Sequence, residues 1–331
     1  MSMLTSELLR DLVAEARLAP SVHNIQPTRW RVLPDGRLAL VDDKTVRAPV
    51  ADASGHDVRI SHGAALEGMC LALNRRGLAA AEIATGEQPL STQYAALCTM
   101  TVRAGAACDR LRDGVARRMS WRGTFTASPE DEASLRQLAA ARDDAVVIRD
   151  RADIAEIAAW ADAAEYSFLR SADHRRELLQ WMRLSPGHPL YRENGLNREA
   201  LAMTAIEATG ARFVLGPLFP VLDKLSLAPS LVSDRTKTSS AAAIVLFTRP
   251  EGEDPFVTGR HFYRVWLEID RAGFSACPVS ALADHAGFNG KLRALGHVAD
   301  GKRLVNVFRI GRPSTQQSPR HFRLPVDQLI V

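Results

Sequence analysis

Two stretches of this chain, Gly63–Gly77 and Gly259–Gly273, repeat one another in length and in sequence pattern. Leu71 of the first stretch is matched by Leu267 of the second, and an arginine follows each of them four residues later. Each stretch reads as a helix that follows an extended segment and precedes a further strand. Self-similarity of this kind indicates two copies of one supersecondary unit. The repeat therefore predicts an α+β chain that contains the same unit twice.

Apolar spacing and turn signals predict the other helices and strands of both copies. Apolar residues at helical spacing predict a first helix that ends at Pro20, because the residue before a proline is pushed out of the α region. Next, the Pro34-Asp35-Gly36 turn predicts a hairpin. The further predictions are helices over Val58–Arg76 and Gly259–Arg271 and from Ser128 onward, strands within Gly77–Gln88 and over Ala95–Arg103, Ala145–Arg149, Ala241–Thr248 and Leu304–Ile310, a mostly helical stretch from Ile154 to Met203, and a loop-rich one from Gly210 to Ser230.

Composition places the chain among ordinary globular proteins. With 331 residues, of which 46% are hydrophobic and 24% charged, it can bury a substantial core. The net charge of +4 comes without a block of basic residues, so no nucleic-acid partner is expected. The four cysteines show no CxxC spacing, and neither a secretory leader nor an apolar run long enough to span a membrane occurs. We expect a cytoplasmic protein without a membrane partner.

Common catalytic signatures are missing from the sequence. It contains no Walker-type phosphate loop and no GxGxxG, HExxH or GxSxG motif, and its nine histidines lack metal-ligand spacing. ATP-binding, Rossmann dinucleotide-binding, metal-dependent and serine-hydrolase functions therefore have no support, and no metal is expected.

Two short polar segments are candidates for a ligand site. The turn from Pro20 to Pro27 carries Ser, His, Asn and Gln between a helix and a strand, where a ligand could be held or the chain simply connected. Arg118, Ser120 and Arg122 alternate, so that on an extended segment two guanidinium groups and a hydroxyl would share one side and converge on an anion. The competing interpretation of that segment is a solvated basic connector.

Together these segments resemble parts of the FMN-dependent nitroreductase superfamily. Pro20–Pro27 resembles its PSxxNxQPW turn, and Arg118–Arg122 resembles its RRSxR segment. Asp234–Lys237 is similar to its Asn-x-x-Lys stretch, Ala276–Ser280 to its flavin-edge segment, and Arg323–Pro325 to its basic terminal segment. The matches span nearly the whole chain. Their order is similar to that of the Acg-like branch, in which one chain mimics the usual homodimer, binds one FMN and covers it with a lid.

The resemblance implies a nitroreductase-like α+β fold, internally duplicated, with antiparallel or mixed sheets flanked by helices. The first half would span residues 1–114 and the second residues 115–331, with a lid insertion at about residues 160–230. That insertion would stand where the second half should carry its own PSxxN turn. One composite site could then be built, from the turn of the first half and the basic elements of the second, in a monomer that mimics a homodimer.

The resemblance also implies which residues bind FMN. Positive charge at the N1–C2 edge of the flavin ring would stabilise its reduced form. Asn24 and Gln26 are expected to brace their turn, and His23 receives no role. The implied residues are Arg118, Ser120, His321 and Arg323 for the phosphate, Arg122, Asp234 and Lys237 for the N1–C2 edge, Pro20, Ser21 and Val22 for the ring, and Pro278, Val279 and Ser280, with its N–H toward N5, for the opposite edge.

Two functions follow from the resemblance. The first is an oxidoreductase in which hydride passes from NAD(P)H to flavin N5 and on to a nitro, quinone or similar acceptor, with no protein nucleophile as a catalytic residue. The alternative is a protein that binds or sequesters flavin beneath the lid with little turnover. The sequence selects neither the acceptor nor one of the two nicotinamide donors.

Overall fold

Two antiparallel sheets flanked by helices form the body of the molecule, which confirms the predicted α+β class. The computed structural model describes residues 4–105, 107–295, 297–315 and 320–331. The first unit consists of α1 (Ser6–Ala16), β1 (Thr28–Val32), β2 (Leu38–Asp43), α2 (His56–Arg75), β3 (Leu78–Pro89) and β4 (Tyr94–Ala104).

The second unit is interrupted by residues 149–242, which we call the long connector. Before it come β5 (Phe125–Thr126), α3 (Asp131–Ala141) and β6 (Ala145–Ile148). The long connector contains α4 (Arg151–Leu169), α5 (Ala172–Trp181), β7 (Met182–Arg183), β8 (Leu196–Asn197), α6 (Ala205–Leu215), α7 (Phe219–Lys224), α8 (Ala228–Leu231) and α9 (Arg235–Ser239). After it come β9 (Ala243–Pro250), α10 (Pro255–Arg271), β10 (Ser275–Pro278), α11 (Ala281–Asp284), α12 (Ala286–Ala294) and β11 (Lys302–Pro313).

The two main sheets have the same strand order. The first runs β1-β2-β4-β3, and the second runs β6-β9-β11-β10, with β5 added beside β11. Every pairing within these two sheets is antiparallel. Helix α2 lies between β2 and β3 in sequence, and α10 lies between β9 and β10. The two repeated stretches therefore hold equivalent places in the two units.

Helices α2 and α10 cross at their repeated glycines. A Cβ atom on Gly63 would lie 1.9 Å from the carbonyl oxygen of Phe256, and one on Gly259 would lie 2.0 Å from that of Ile60. The two backbones can approach this closely only because neither glycine carries a side chain. The crossing therefore joins the units through the same position of each repeat.

Apolar side chains fill a separate core on each sheet. Leu12 of α1 and Met69 of α2 are fully buried against the first sheet. The C-terminal tail returns to this core through Leu324, and its last residues pair with the edge of β1, where the Trp30 N–H donates to the Leu329 carbonyl at 2.8 Å. The tail thus covers a sheet edge that would otherwise be open. No described helix has the length and apolar character needed to cross a lipid bilayer.

The predicted start of α3 is wrong by two residues. The residue that caps the helix is Glu130 instead of Ser128, and the helix begins at Asp131. The Ser128 N–H donates to the Asp131 carboxylate at 2.9 Å and thereby holds a separate turn ahead of the helix. Pro129 lies within that turn, whereas Asp131 and Glu132 form the acidic first turn of α3.

Two predictions for the long connector are also wrong. Residues 154–203 are helical only as far as Trp181, and Gly210–Ser230, expected as a loop, forms most of α6 to α8. Helix α6 begins with a capping box, in which the side chains of Thr204 and Glu207 each bind the other's backbone N–H. That signal is present in the sequence, but the irregular apolar spacing concealed the helices behind it.

The position predicted for the insertion is corrected by the topology. In the first unit the polar turn Pro20–Pro27 fills the link between α1 and β1, whereas the equivalent link between α3 and β6 contains only residues 142–144. The long connector joins β6 to β9 and so takes the place of the short turn between β1 and β2. It packs around an apolar cluster of its own, centred on the buried Phe219.

Candidate functional site

Two arginines from distant parts of the chain meet at the end of α1. Arg118 Nη2 donates to the Leu18 carbonyl at 2.9 Å, and Arg323 Nη2 donates to the same oxygen at 3.2 Å. Arg323 also donates to the Arg17 carbonyl at 2.7 Å and to Asn24 Oδ1 at 3.0 Å. The fold therefore places two of the predicted phosphate-binding residues side by side, next to the polar turn.

The charge of this arginine pair is not balanced by the protein. In the part of the chain that the structure describes, no carboxylate lies within ion-pair distance of either residue, and Asp270 forms its ion pair with Arg117 at 2.7 Å. Burial lowers the pKa of Arg118, and burial followed by the charge of Arg118 lowers the pKa of Arg323 to about 9. Arg118 Nε has no hydrogen-bond partner. A buried and a half-buried cation with an unused donor are an arrangement that an anion would satisfy.

Helix α10 supplies an aromatic support for Arg118. The guanidinium carbon lies 4.4 Å from the ring centre of Trp266 and 5.6 Å from that of Tyr263. The Trp266 ring N–H is buried without a hydrogen-bond partner. These two aromatic residues were not among the predicted site residues. The available signal was a departure from the repeat, since the first copy has Glu67 and Cys70 at the same positions.

His321 lies beside the arginine pair in a neutral form. Its Nε2 donates to the Ala116 carbonyl at 2.9 Å, so Nδ1 is the acceptor nitrogen of the neutral ring. Burial, and then the charges of Arg118 and Arg323, lower its pKa to about 4. His321 can therefore donate a second hydrogen bond to an anion only after it takes up a proton.

Ser120 links the arginine pair to the predicted flavin-edge segment. It forms an isolated parallel bridge with Ala276, and the next N–H, that of Trp121, donates to the Ala276 carbonyl at 2.8 Å. Ser120 itself is half-buried. The structure thus brings Arg118–Arg122 alongside the chain that leads to Pro278.

The three residues predicted at the N5 edge differ in their freedom to bind. Pro278 lies opposite Phe308 in the sheet, and the Val279 N–H already donates to the Val307 carbonyl at 2.7 Å. Ser280 is exposed and precedes the first turn of α11. The backbone N–H of Ser280 stays a predicted contact of the flavin.

Asp234 binds two cations at the other end of the site. Its carboxylate lies 2.7 Å from Lys237 Nζ and 3.2 Å from Arg309 Nη2. Arg309 is fully buried, donates to the Thr238 hydroxyl at 3.1 Å, and has an unpartnered Nε. The charge of Lys237, expected to serve the flavin, is therefore shared with Asp234. Arg309 was missed, although a lone charge within the apolar run Leu304–Ile310 is a sequence signal for it.

Three carboxyl groups near Asp234 have raised pKa values. Burial and then the charge of Asp234 raise the pKa of Glu165 to about 7. Burial raises the pKa of Asp57 to about 7 and that of Asp284 to about 6, with the charge of Asp52 adding to both. Glu165 and Asp284 are exposed to water. No three His, Cys, Asp or Glu residues in the described ranges are arranged to hold a metal ion.

The polar turn is fixed from two directions. Asn24 Nδ2 donates to the carbonyls of Phe322 in the tail at 3.0 Å and of Gly195 in the long connector at 3.1 Å. Gln26 Nε2 donates to the Glu193 carbonyl at 2.8 Å. Asn24 and Gln26 therefore brace the turn, as expected. Both have a φ of +56°, a left-handed conformation that these bonds must hold in place.

Pro20, Ser21 and Val22 begin this turn, next to the Leu18 carbonyl that both arginines bind. The Ser21 hydroxyl accepts a hydrogen bond from the Gln26 N–H at 3.0 Å, and the Val22 N–H donates to the Ser61 hydroxyl at 3.1 Å. Ser61 lies on α2, so the predicted ring-lining residues are held by the helix that makes the central crossing.

His23, which had no predicted role, faces the long connector. Its φ of +41° is left-handed, and burial followed by the charges of His174 and Arg122 lowers its pKa to about 4. His174 belongs to α5 of the long connector, and Arg122 is one of the predicted flavin-edge cations. His23 is thus a neutral side chain between the turn and the long connector.

The long connector is tied to both units around the turn. Arg122 Nη1 donates to the Ala200 carbonyl at 2.8 Å. The Glu177 carboxylate of α5 accepts hydrogen bonds from the N–H groups of Val50 at 2.9 Å and Ala51 at 2.8 Å. These contacts, with those of Asn24 and Gln26, hold the long connector against the polar turn.

The whole sequence is similar to a relative with a nitroreductase name. It is 26% identical over 340 residues to "Putative NAD(P)H nitroreductase acg" of Mycobacterium tuberculosis (strain CDC 1551 / Oshkosh), with 99% of this chain and 96% of the relative covered. The protein of the same name from strain ATCC 25618 / H37Rv matches equally well. No family model matches the chain. The resemblance to the nitroreductase superfamily that the motifs predicted is confirmed by this similarity.

Two solved structures are similar to about two thirds of the chain. The FMN and NADPH-dependent nitroreductase NfnB from sphigopyxis sp. strain HMH is 17% identical, with a TM-score of 0.36 and coverage of 67% of this chain and 98% of that one. The FMN-dependent nitroreductase NfnB from Mycobacterium smegmatis, in complex with NADPH, is 19% identical, with a TM-score of 0.34 and coverage of 63% and 92%.

Proposed function

We propose that the chain binds FMN in a composite site between its two units and acts as an NAD(P)H-dependent oxidoreductase. The observation that carries the proposal is the pair formed by the buried Arg118 and the half-buried Arg323, with which no described carboxylate forms an ion pair and whose Arg118 Nε is unused. The phosphate of FMN would supply both the negative charge and the acceptors. The whole-length similarity to a protein named as a nitroreductase supports a flavin as the source of that phosphate.

The surrounding residues fit the rest of the cofactor. Ser120, between the arginine pair and Ala276, would add a hydroxyl to the phosphate site, and Arg122 would hold positive charge near the ring. Pro20, Ser21 and Val22 would line the ring from the first unit. When bound, FMN supplies hydride-transfer chemistry between NAD(P)H and a nitro or quinone-type acceptor. The protein's task is then to bind, orient and exclude water, without a side-chain nucleophile.

We also infer that the chain is an internally duplicated monomer that mimics a homodimer, with halves at residues 1–114 and 115–331. The shared strand order and the crossing of Gly63 with Gly259 support this inference. The tail adds to it, because residues of the second half pack on the first sheet and carry Arg323 to the site. A cytoplasmic location is part of the same proposal.

Flavin binding by the purified chain tests the proposal. We expect the wild-type protein to show the absorbance bands of bound flavin, or to acquire them when FMN is added. Arg118→Ala and Arg323→Ala should each weaken FMN binding about tenfold to a hundredfold, the cost of a lost hydrogen bond between charged groups. Arg117→Ala is the matched control, because this neighbouring arginine is exposed and pairs with Asp270. A wild-type protein that stays colourless after incubation with FMN would refute the proposal.

A second function, flavin sequestration with little turnover, is favoured by the long connector. Its hydrogen bonds to Asn24, Gln26 and Arg122 would close it over the bound ring as a lid. Stopped-flow mixing of the flavin-loaded protein with NADH and with NADPH separates the two functions. Rapid bleaching by either donor would exclude sequestration, and the absence of reduction by both would exclude the oxidoreductase.

A further inference from the structure

The outer surface of the long connector exposes many large apolar side chains. Of the eleven large hydrophobic residues that are exposed in the described part of the chain, seven lie within residues 206–231. Ile206 is 86% exposed and Leu225 is 61% exposed. Scattered apolar residues are normal on a protein surface, whereas a concentration of this kind marks an interaction site. We call these residues the outer apolar face: Ile206, Phe213, Leu218, Val221, Leu225, Leu227 and Leu231.

The exposure is not due to helices that lack a core. The same helices bury Ala208, Leu215, Phe219 and Ala228 in the cluster inside the long connector. A surface helix needs only one apolar side for such a core, and its other side is ordinarily polar. Helices α6 to α8 and the short links between them therefore expose large apolar side chains in addition to those that form this core.

The charges around these helices are mostly positive. Arg212 of α6, Lys224 of α7 and Arg235 of α9 are exposed, and none of them forms an ion pair with another described residue. Asp223 lies 3.6 Å from Arg170, and the exposed Glu207, whose carboxylate accepts from the Thr204 N–H at 2.7 Å, is the one acid of α6 to α8 without an ion pair to a described residue. The partner of the outer apolar face should therefore combine apolar material with negative charge.

A cavity of about 510 Å³ borders the outer apolar face and has the same mixed chemistry. Its wall includes Phe213, Leu184 and Pro186 and two arginines, Arg212 and Arg198, of which Arg198 also lies 3.6 Å from the Glu199 carboxylate. Apolar walls with a few charged groups are typical of a ligand site. Two guanidinium groups beside them suit the anionic head group of an amphiphile.

We propose that the outer apolar face docks on the surface of an anionic lipid bilayer. Apolar side chains would enter the interface while Arg212, Lys224 and Arg235 meet the head groups, the combination by which interfacial helices bind. Contact would be peripheral, because no described helix could span the bilayer. A second copy of the chain is a poorer partner, since a twofold contact would bring the unpaired cations of the two copies together. This inference does not rest on the flavin proposal, and it revises the expectation that no membrane is involved.

Vesicle flotation with the full-length protein tests this docking. We expect the protein to float with vesicles of phosphatidylcholine and phosphatidylglycerol at low salt, and to stay behind with phosphatidylcholine alone. Raising the salt should weaken binding, and Arg212→Gln should weaken it about fivefold, the usual effect of one basic residue at an anionic surface. No flotation with anionic vesicles, or equal flotation with neutral ones, would overturn the proposal.

Substitutions of apolar residues locate the contact. Phe213→Glu is expected to abolish flotation, whereas Leu295→Glu should leave it intact, because Leu295 is 50% exposed but lies outside the long connector. Circular dichroism would verify that both variants fold. Equal loss of flotation in both variants would contradict the proposal. Sedimentation of the lipid-free protein as a dimer that Phe213→Glu converts to a monomer would also overturn it, in favour of a second copy as the partner.

Discussion

Two pairs of arginines flank the crossing of α2 and α10, and they differ in what balances their charge. Arg260 and Arg264 both come from α10 and lie 2.8 Å and 2.6 Å from the buried carboxylate of Glu67, while Arg264 also lies 2.7 Å from Asp109. Burial opposes their charge, but these carboxylates keep the pKa of both arginines above the ordinary value. The charge of this pair is therefore balanced within the protein.

The other pair, Arg118 and Arg323, shows the opposite pattern. Burial lowers the pKa of both residues, and neither of them forms an ion pair with a described carboxylate. The repeat shows how the difference arises, because the position of Glu67 in the first copy is held by Tyr263 in the second. A cation that is buried with its counter-ion serves the fold, whereas one buried without it requires a ligand. The comparison therefore identifies the incomplete pair as the functional one.

The crossing that holds both pairs gives the largest expected effect. Gly63→Ala and Gly259→Ala should each lower the free energy of unfolding by about 3 kcal/mol or more, because each new Cβ would meet a backbone oxygen within 2.0 Å. Equilibrium denaturation in urea measures the change. If the two units are equivalent at this point, the two variants should lose similar amounts, and the double variant should lose less than the sum.

Gly290→Ala is the control for the crossing variants. Gly290 lies in α12, where a Cβ would have no neighbour within 4 Å, so the substitution should stabilise the protein by up to about 1 kcal/mol. An equal loss of stability from Gly290→Ala and Gly63→Ala would show that the close backbone contact at the crossing is not the cause of the loss.

Removing the counter-ion of the balanced pair should produce the next largest effect. Glu67→Gln leaves Arg260 and Arg264 next to an amide and should lower the free energy of unfolding by about 3 kcal/mol. Arg118→Met removes a cation that has no counter-ion, so in the flavin-free protein it should change that free energy by less than about 1 kcal/mol. Denaturation curves of the two variants measure the contrast. Equal losses would remove the distinction between the two pairs.

Much of the fold could be predicted, because hairpin turns, helix ends and apolar spacing are local properties of the sequence. The prediction of the site depended on motifs such as Arg118–Arg122, whose residues meet the other site residues only in the folded chain. Arg309 and Trp266 were missed because their significance lies in what they contact, a carboxylate on α9 and a guanidinium from another segment. Helices α6 to α8 of the long connector were missed because their exposed apolar residues obscure the expected amphipathic period.

The smallest effect is expected from the protonation of His321. Its pKa of about 4 in the flavin-free site results from burial and from the charges of Arg118 and Arg323. A bound phosphate would offset these two positive charges. The pKa should therefore rise on binding, so protons are taken up and His321 strengthens binding as the pH falls toward 4. His321→Gln keeps a donor for the Ala116 carbonyl but cannot gain charge. The ratio of the FMN dissociation constants of variant and wild type should be near one at pH 8 and grow, by less than about tenfold, at lower pH. Because the phosphate titrates equally in both proteins, a ratio that is constant with pH would show that His321 does not face the anion.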